Sequence, residues 1–418
     1  MRAVRNNRVL YVVVPPPGHD APTKHALAIA QLMGACGWKC EFLVTGIRCS
    51  NGQHTSDSST DAGVFPFSVE IPESLEYAKF QVIEKYSERL TSARAIDAFE
   101  DSFHRVRPGA VVYYGISAKL ARAIQMCCHE EGVPAIVDET DWFDARLENG
   151  FANYLFERSR SARVERVDCH ADGVLAISPF FEAHFRELAV RQGGSPQVLF
   201  LPPLNPAGQE TLAKAYPGRI QGAKTRFFYA GSLGGRKDLL VPFIRAVERV
   251  AGHLNTEPFL DVYGVSEEEA ARVLGCLPDA SLVCFHGRQP HDKVITALRA
   301  ADFGVLLRYP ERYARAGFST KFAECMSNGV PMLCNRVGGA DSILDNGVDG
   351  IVIPDTDDGS IDSGLRRTCN MGEVDLGRMK ASALRKARFL FDIDRYLEPL
   401  GDFMDRVVDD TRARQRKG

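Results

Sequence analysis

The chain has 418 residues, too many for one ordinary core, so two domains of roughly 150–200 residues are expected. Its composition, 45% apolar, 25% charged and 9% aromatic, is that of a globular protein, and a formal charge of −3 argues against a dedicated nucleic-acid binder. The 11 cysteines are scattered without a Cys-x-x-Cys pair, which favours reduced thiols in a cytoplasmic setting over disulfides or structural zinc. The apolar run that starts at Val9 stops at Pro15, too soon for a signal peptide, and no window approaches the ~20 apolar residues of a spanning helix.

Val9–Val14 is a continuous, largely β-branched run, which predicts a strand buried on both faces of a parallel sheet. A Pro-Pro-Pro-Gly loop follows, then an apolar-periodic helix near Lys24–Ala35 and a strand at Cys40–Thr45. Gly46–Asp61 is rich in Gly, Ser, Thr and Asn and reads as a mobile surface loop. The pattern continues with a helix at Ala93–Arg105, a strand at Ala110–Tyr114, a helix at Ala118–Glu130 and a strand at Pro134–Asp138. A long helical stretch to Cys169 and a strand at Gly173–Ile177 complete a doubly wound α/β domain over residues 1–203. Pro202–Lys224 shows little periodicity, so residues 204–224 are read as a linker.

The alternation restarts with a strand at Arg226–Ala230, a helix at Leu239–Ala251 and a strand at Phe259–Tyr263. A helix near Ser266–Gly275, a strand at Ser281–Phe285, a helix at His291–Ala301 and a strand at Phe303–Leu307 follow. This second domain is expected over residues 225–378. Residues 379–418 read as helices crossing back to the first domain, with the basic tail Arg412–Gly418. The expected fold is α/β: two Rossmann-like parallel-sheet domains facing across a cleft, with ligands at the carboxyl ends of the strands.

Two segments of the second domain carry chemistry. In Ala316–Gly339 a Gly317-Phe318-Ser319-Thr320 turn opens a short helix bearing Lys321 and Glu324. Asn328-Gly329 ends that helix, and Val330-Pro331 leads into the strand Met332–Cys334. Backbone N–H groups after Gly317 can meet phosphate oxygens, and Glu324 can accept paired hydrogen bonds from a ribose diol. In Tyr229-Ala-Gly-Ser-Leu-Gly-Gly-Arg-Lys237, Gly231, Gly234 and Gly235 let an anion approach the backbone beside Ser232, while Arg236 and Lys237 neutralise it. Taken alone, the turn reads equally as a flexible loop with solvated charges. Two such elements in one domain fit a diphosphate.

On these residues, 226–354 resemble the donor-binding domain of GT-B glycosyltransferases, specifically glycosyltransferase family 4. The family's glycine turn appears as Gly231–Lys237, its base-proximal strand as Phe285-His-Gly-Arg288, and a further strand as Ala301-Asp-Phe-Gly-Val-Leu-Leu307. Its terminal element appears as Phe322-Ala-Glu-Cys-Met-Ser-Asn-Gly-Val-Pro331, followed by Gly338-Gly339 and Asp345-Asn-Gly-Val-Asp-Gly350. The first domain matches more loosely, at Gly132–Asp138 and Ala171–Ser178.

The resemblance implies a GT-B transferase that moves a hexose-type sugar from a nucleoside diphosphate sugar, a UDP- or GDP-sugar, to a hydroxyl acceptor with retention. It implies bacterial polysaccharide or glycoconjugate assembly, with no cofactor and no metal. Arg236 and Lys237 would bind the diphosphate and stabilise the leaving group. Gly231, Ser232, Gly235, Gly317, Phe318, Ser319, Thr320 and Lys321 would line it, Glu324 would hold the ribose, and Arg288 and Gln289 would lie at the base. Ala316 stands where the family's first glutamate would be, which leaves sugar choice open. At the exit of the middle strand Thr140-Asp141 replaces the family's His-Asp. Asp141, with Glu139 nearby, is a candidate to orient the acceptor or the donor sugar, or to cap a helix from Trp142.

Gly18, beside His19 at the first strand's exit, is a candidate for close approach to the sugar phosphate. Asp355-Thr-Asp357-Asp358 has a metal-chelating spacing, or is an acidic turn. Arg158, Arg160, Arg163 and Arg166 form a solvated helix face with Glu157 and Glu165, or with the basic tail touch anionic lipid as a peripheral membrane contact. The second case makes a lipid-linked saccharide acceptor the natural one. A sugar-nucleotide epimerase of the same layout and a non-catalytic transferase-like partner are the rival readings.

Overall fold

The computed structural model describes residues 6–13, 21–48, 64–70, 92–144, 151–192, 196–204, 224–233, 238–337 and 339–416. The chain divides into two units, Met1–Leu204 with Ile393–Gly418, and Asn205–Asp392.

In the first unit the described residues form a seven-stranded parallel sheet. Its strands are β1 (Arg8–Val13), β2 (Lys39–Arg48), β3 (Val64–Glu70), β4 (Ala110–Tyr114), β5 (Ala135–Glu139), β6 (Gly173–Ala176) and β7 (Gln197–Phe200). Their order is β3-β2-β1-β4-β5-β6-β7, so the chain reverses its direction of travel between β1 and β4. Val9 to Val12 are fully buried, as a run without polar alternation requires of a strand covered on both faces. Helix Ala118–Glu131 shows why its boundaries were legible. The Ser117 side chain accepts the Leu120 N–H at its start, and Gly132, at φ 66°, turns the chain out of it. Helix Leu397–Gln415 returns Leu400, Phe403, Met404 and Val407 to this unit's core.

Several expectations need correction here. Gly46–Arg48, expected to open a surface loop, are the last residues of β2, in register with Ser68–Glu70 of β3. Residues 49–61 of that expected loop lie outside the described residues. No helix starts at Trp142. Residues 140–144 are irregular, and the next described helix is Phe151–Arg166, followed by a 3-10 turn at Asp168–His170.

In the second unit the described residues form a six-stranded parallel sheet in the order β10-β9-β8-β11-β12-β13. The strands are β8 (Thr225–Ala230), β9 (Pro258–Tyr263), β10 (Val283–Phe285), β11 (Phe303–Leu306), β12 (Met332–Asn335) and β13 (Gly350–Ile353). The order reverses between β8 and β11, and in open α/β sheets that point is where ligands sit, beyond the carboxyl ends of the strands. The expected boundary at residue 378 moves. Helix Glu373–Phe391 packs Leu376 and Met379 into the second core, and Lys380 Nζ donates to Ala301 O at 2.5 Å. The chain rejoins the first unit only from Ile393. Most of the expected linker, residues 205–223, lies outside the described residues.

Candidate functional site

The exits of β8, β9 and β10 are laced together by backbone. Gly231 N–H donates to Tyr263 O at 2.9 Å, and Gly264 N–H donates to Gly287 O at 2.8 Å. Side chains are excluded between them: a Cβ on Gly264, which sits at φ 88°, would lie 2.7 Å from Gly231 O. Gly231 itself faces Tyr229 and Lys321. A Cβ there would come within 2.6 Å of the Tyr229 hydroxyl and 2.7 Å of Lys321 Nζ. Only glycine lets the lysine lie over the turn.

Asp238, the first described residue after the turn, ties this arrangement together. Its Oδ2 is ion-paired with Lys321 Nζ, and its Oδ1 accepts Arg308 Nε at 2.7 Å. The Tyr229 hydroxyl lies 3.0 Å from Asp238 Oδ2 and 3.1 Å from Ser232 O, so its single proton can go to either. Lys321 Nζ also sits 4.6 Å from the centroid of the Tyr229 ring. Burial opposes ionisation of Asp238, but Arg308 and Lys321 outweigh it and hold the carboxyl well below the usual carboxylate range. Burial, and then Asp238 beside it, push the Tyr229 hydroxyl well above the usual range. With two cations on one carboxylate, the described cluster carries one net positive charge at the point where β8 and β11 part.

The helix Thr320–Ser327 begins beside this cluster. Ser319 occupies its N-cap without a side-chain capping bond, and its Oγ is buried with no partner among the described residues. Phe322 N–H and Ala323 N–H both turn back to Ser319 O, at 3.1 and 3.3 Å. The N–H groups of Thr320 and Lys321 are those a helix start leaves without intrahelical acceptors, at the positive end of its dipole. Thr320 is exposed and Lys321 half-buried. Glu324, half-buried and one turn on, has a carboxylate with no partner among the described residues.

Other expected site residues are placed differently. Phe318 is a core residue, edge-on to Phe322 and Phe391, with Gly339 at φ 83° packed so closely that a Cβ would lie 2.9 Å from its ring. Gly317 has an ordinary φ of −77° and follows a short helix, Arg312–Ala316, in which Ala316 is fully buried. Arg288 and Gln289 are exposed, and Gln289 Nε2 donates to His286 O at 2.8 Å. Gly18, Gly234, Gly235, Arg236 and Lys237 lie outside the described residues.

In the first unit, β5 sends Asp138 and Glu139 to opposite faces. Asp138 meets His25 Nε2 at 3.0 Å through each carboxylate oxygen, and accepts the Tyr11 hydroxyl at 2.5 Å. Glu139 is not the acceptor-side partner expected for Asp141: it is fully buried and ion-paired with Arg163. Arg163, read from the sequence as part of a solvated or lipid-facing face, is 2% exposed. Its Nε donates to Asp168 Oδ2 at 2.8 Å and its Nη1 to Ile116 O at 2.9 Å. Arg158 and Arg166 are exposed, and Asp141 itself is half-buried.

Asp357 caps the helix Asp358–Cys369 by accepting the Ser360 N–H at 3.0 Å. Among the described residues no group of three or more His, Cys, Asp or Glu side chains is placed to hold a metal ion. None of the described helices is long and apolar enough to cross a membrane. Sequence reasoning did not find Asp238, Arg308 or the His25–Asp138 pair. The available signal was position: Asp238 directly follows Arg236-Lys237, and Arg308 directly follows the apolar strand run.

Residues 224–370 match the family model for glycosyl transferases group 1. No curated protein matches the chain by sequence. Among solved structures, Alr3699/HepE of Anabaena, determined with UDP, superposes with a TM-score of 0.61 at 13% identity, covering 96% of this chain and 100% of that one. A glycosyltransferase from Rickettsia africae gives 0.65 at 10% identity over 96% and 99%. Sucrose-phosphate synthase from Thermosynechococcus elongatus gives 0.65 at 13% identity over 97% and 100%. The chain has the GT-B fold of two Rossmann-like domains, and the segment 224–370 is similar to the glycosyl transferases group 1 family.

Proposed function

We propose that this protein transfers a hexose-type sugar from a nucleoside diphosphate sugar to a hydroxyl acceptor. The observation that carries the reading is the junction of Gly231, Lys321 and the uncapped start of helix Thr320–Ser327 at the switch point of the second sheet. A glycine-only approach, a lysine held over it and a helix start, whose first N–H groups have no acceptors within the helix, together suit a diphosphate. Glu324, whose carboxylate has no partner among the described residues, would take the ribose diol.

In this reading Lys321, Thr320 and Ser319 hold the diphosphate, with Arg236 and Lys237 added from the turn. Charge that develops on the leaving diphosphate is met by groups already in place, the form of stabilisation that costs no reorganisation. Arg288 and Gln289 contact the base, largely through backbone. The acceptor hydroxyl attacks on the face the diphosphate leaves, giving retention, and its proton passes to the departing phosphate. Asp141 belongs to the acceptor side. Neighbouring folds have been determined with UDP and with UDP-glucose, which favours a uridine nucleotide as the first to try. A cytoplasmic role in bacterial polysaccharide or glycoconjugate assembly accords with this chemistry, and exposed Arg158 and Arg166 leave a lipid-linked acceptor within the reading.

Thermal unfolding against UDP-, GDP-, dTDP- and ADP-sugars tests it. A bound nucleotide stabilises by mass action, so one series should raise the transition well above the others. If none does, the reading is wrong. Incubation with the responding donor alone, followed by a search for an isomerised sugar nucleotide, separates transfer from epimerisation.

A further inference from the structure

Arg308 stands at the exit of β11, next to the switch point, and its surroundings fix it firmly. The Asn335 side chain bonds both its N–H, at 3.0 Å, and its C=O, at 2.7 Å. Asn335 is 4% exposed, so these are buried bonds that hold the backbone of one strand exit against the next. The Arg308 side chain is 11% exposed, and its Nε donates to Asp238 Oδ1.

A guanidinium has five N–H donors in a rigid fork, and an arginine that serves only to neutralise a carboxylate usually gives it two of them. Here Nε alone is engaged. The four donors on Nη1 and Nη2 have no partner among the described residues. The same Asp238 carboxylate holds Lys321 through its other oxygen, so one acid aligns two cations and cancels only one of their charges. A rigid, half-used fork beside an aligned ammonium is complementary to a polyanion with several acceptor oxygens.

We propose that Arg308 is a further ligand-contact residue, which grips the diphosphate of the nucleotide alongside Lys321 and is oriented for it by Asp238. The proposal rests on the donor reading given above. It assigns Asp238 to positioning: the acid touches the two cations, not the ligand.

Calorimetric titration of the full chain with UDP, GDP, ADP and dTDP provides the test. The tightest of these for the wild type then serves as probe for Arg308→Met, Arg308→Lys, Asp238→Asn and the Asp238→Asn/Arg308→Met double variant. Losing charged hydrogen bonds should weaken Arg308→Met by about ten- to a hundred-fold. Arg308→Lys keeps the charge and the Asp238 pair but loses the fork, so it should bind several-fold more weakly. It decides the matter if the methionine variant does not fold. In the Asp238→Asn background Arg308→Met should cost much less, because an unaligned guanidinium contributes less. Wild-type affinity in both arginine variants overturns the proposal while leaving the donor reading standing. Equal losses in both backgrounds overturn the positioning role of Asp238. A wild type that binds none of the four sinks the donor reading and this proposal together.

Discussion

Gly231 and Lys321 are fitted to one another: a Cβ on the glycine would lie 2.7 Å from the lysine Nζ. The far end of a lysine is flexible, so Gly231→Ala should leave the fold intact and displace the ammonium from Asp238. The Tyr229 hydroxyl, 2.6 Å from the same position, must shift as well. Nucleotide affinity should fall about ten-fold, the value of one charge-assisted hydrogen bond, with the unliganded unfolding temperature little changed. Isothermal titration beside a thermal scan checks both halves. Undiminished affinity in Gly231→Ala would mean that the lysine does not work from this position.

Asp238 should matter for stability as well as for binding. Arg308, 11% exposed, would be left without its counter-ion in Asp238→Ala, and breaking a buried pair from one side costs about 3–5 kcal/mol. Asp238 also has a folded pKa below its unfolded value, so it binds its proton less readily in the native state. Its contribution is therefore fully present above the unfolded value near 4 and is lost as pH falls from there toward the lower folded value. Urea unfolding of wild type and Asp238→Ala at pH 7 and pH 3 should show the gap between them narrowing in acid.

How much of this could be read from the amino-acid sequence follows from the kind of pattern each element has. β1 and β4 were legible because fully buried parallel strands are continuous apolar runs, and Ser117 and Gly132 mark a helix by local chemistry. β3 was not, since Pro66 argues against a strand, and only its place at the sheet edge, paired with β2 alone, tolerates it. β7 is four residues long and half-buried, too short for a period to show. At the site, Lys321, Ser319 and Gly231 stood out through glycine and helix-start signals, which are local. Asp238, Arg308 and Asn335 are joined only across strand exits far apart in the chain, and no local pattern announces such contacts. Arg163 misled for a related reason. It lies among exposed arginines, and only Asp168 and Glu139 on other elements show that it points inward.

That buried group makes its own prediction. Arg163 serves two acids, Glu139 and Asp168, and Asp168 also accepts the Tyr113 hydroxyl at 3.0 Å. Arg163→Ala should therefore destabilise by about 3–5 kcal/mol, whereas exposed Arg158→Ala should stay within about 0.5 kcal/mol of wild type. Burial, reinforced by Asp168, keeps the Glu139 carboxyl well above its ordinary range against the pull of Arg163. An acid with a raised folded pKa destabilises the native state as pH climbs from its unfolded value toward the folded one. Glu139→Gln removes the titrating group, so it should flatten that decline. Denaturant midpoints for the three variants between pH 4 and 8 decide it.

His25 gives the opposite slope. Burial alone would lower its pKa, but Asp138, bonded to Nε2 through both oxygens, and Asp141 farther off raise it above the ordinary value. A histidine held protonated in the native state stabilises fully below the unfolded value near 6.5, and loses that contribution as pH rises through the folded value. His25→Gln should accordingly be most destabilised, relative to wild type, at pH 6 and progressively less so toward pH 9. The Tyr11 hydroxyl, bonded to the same carboxylate and pushed well above its usual range by burial and by Asp138, stays neutral throughout and does not contribute to the slope. Unfolding by urea at pH 6, 7, 8 and 9 measures the difference directly. A gap that stayed constant across that range would show that His25 titrates alike in the folded and unfolded chain, so that its pairing with Asp138 does not favour the charged form.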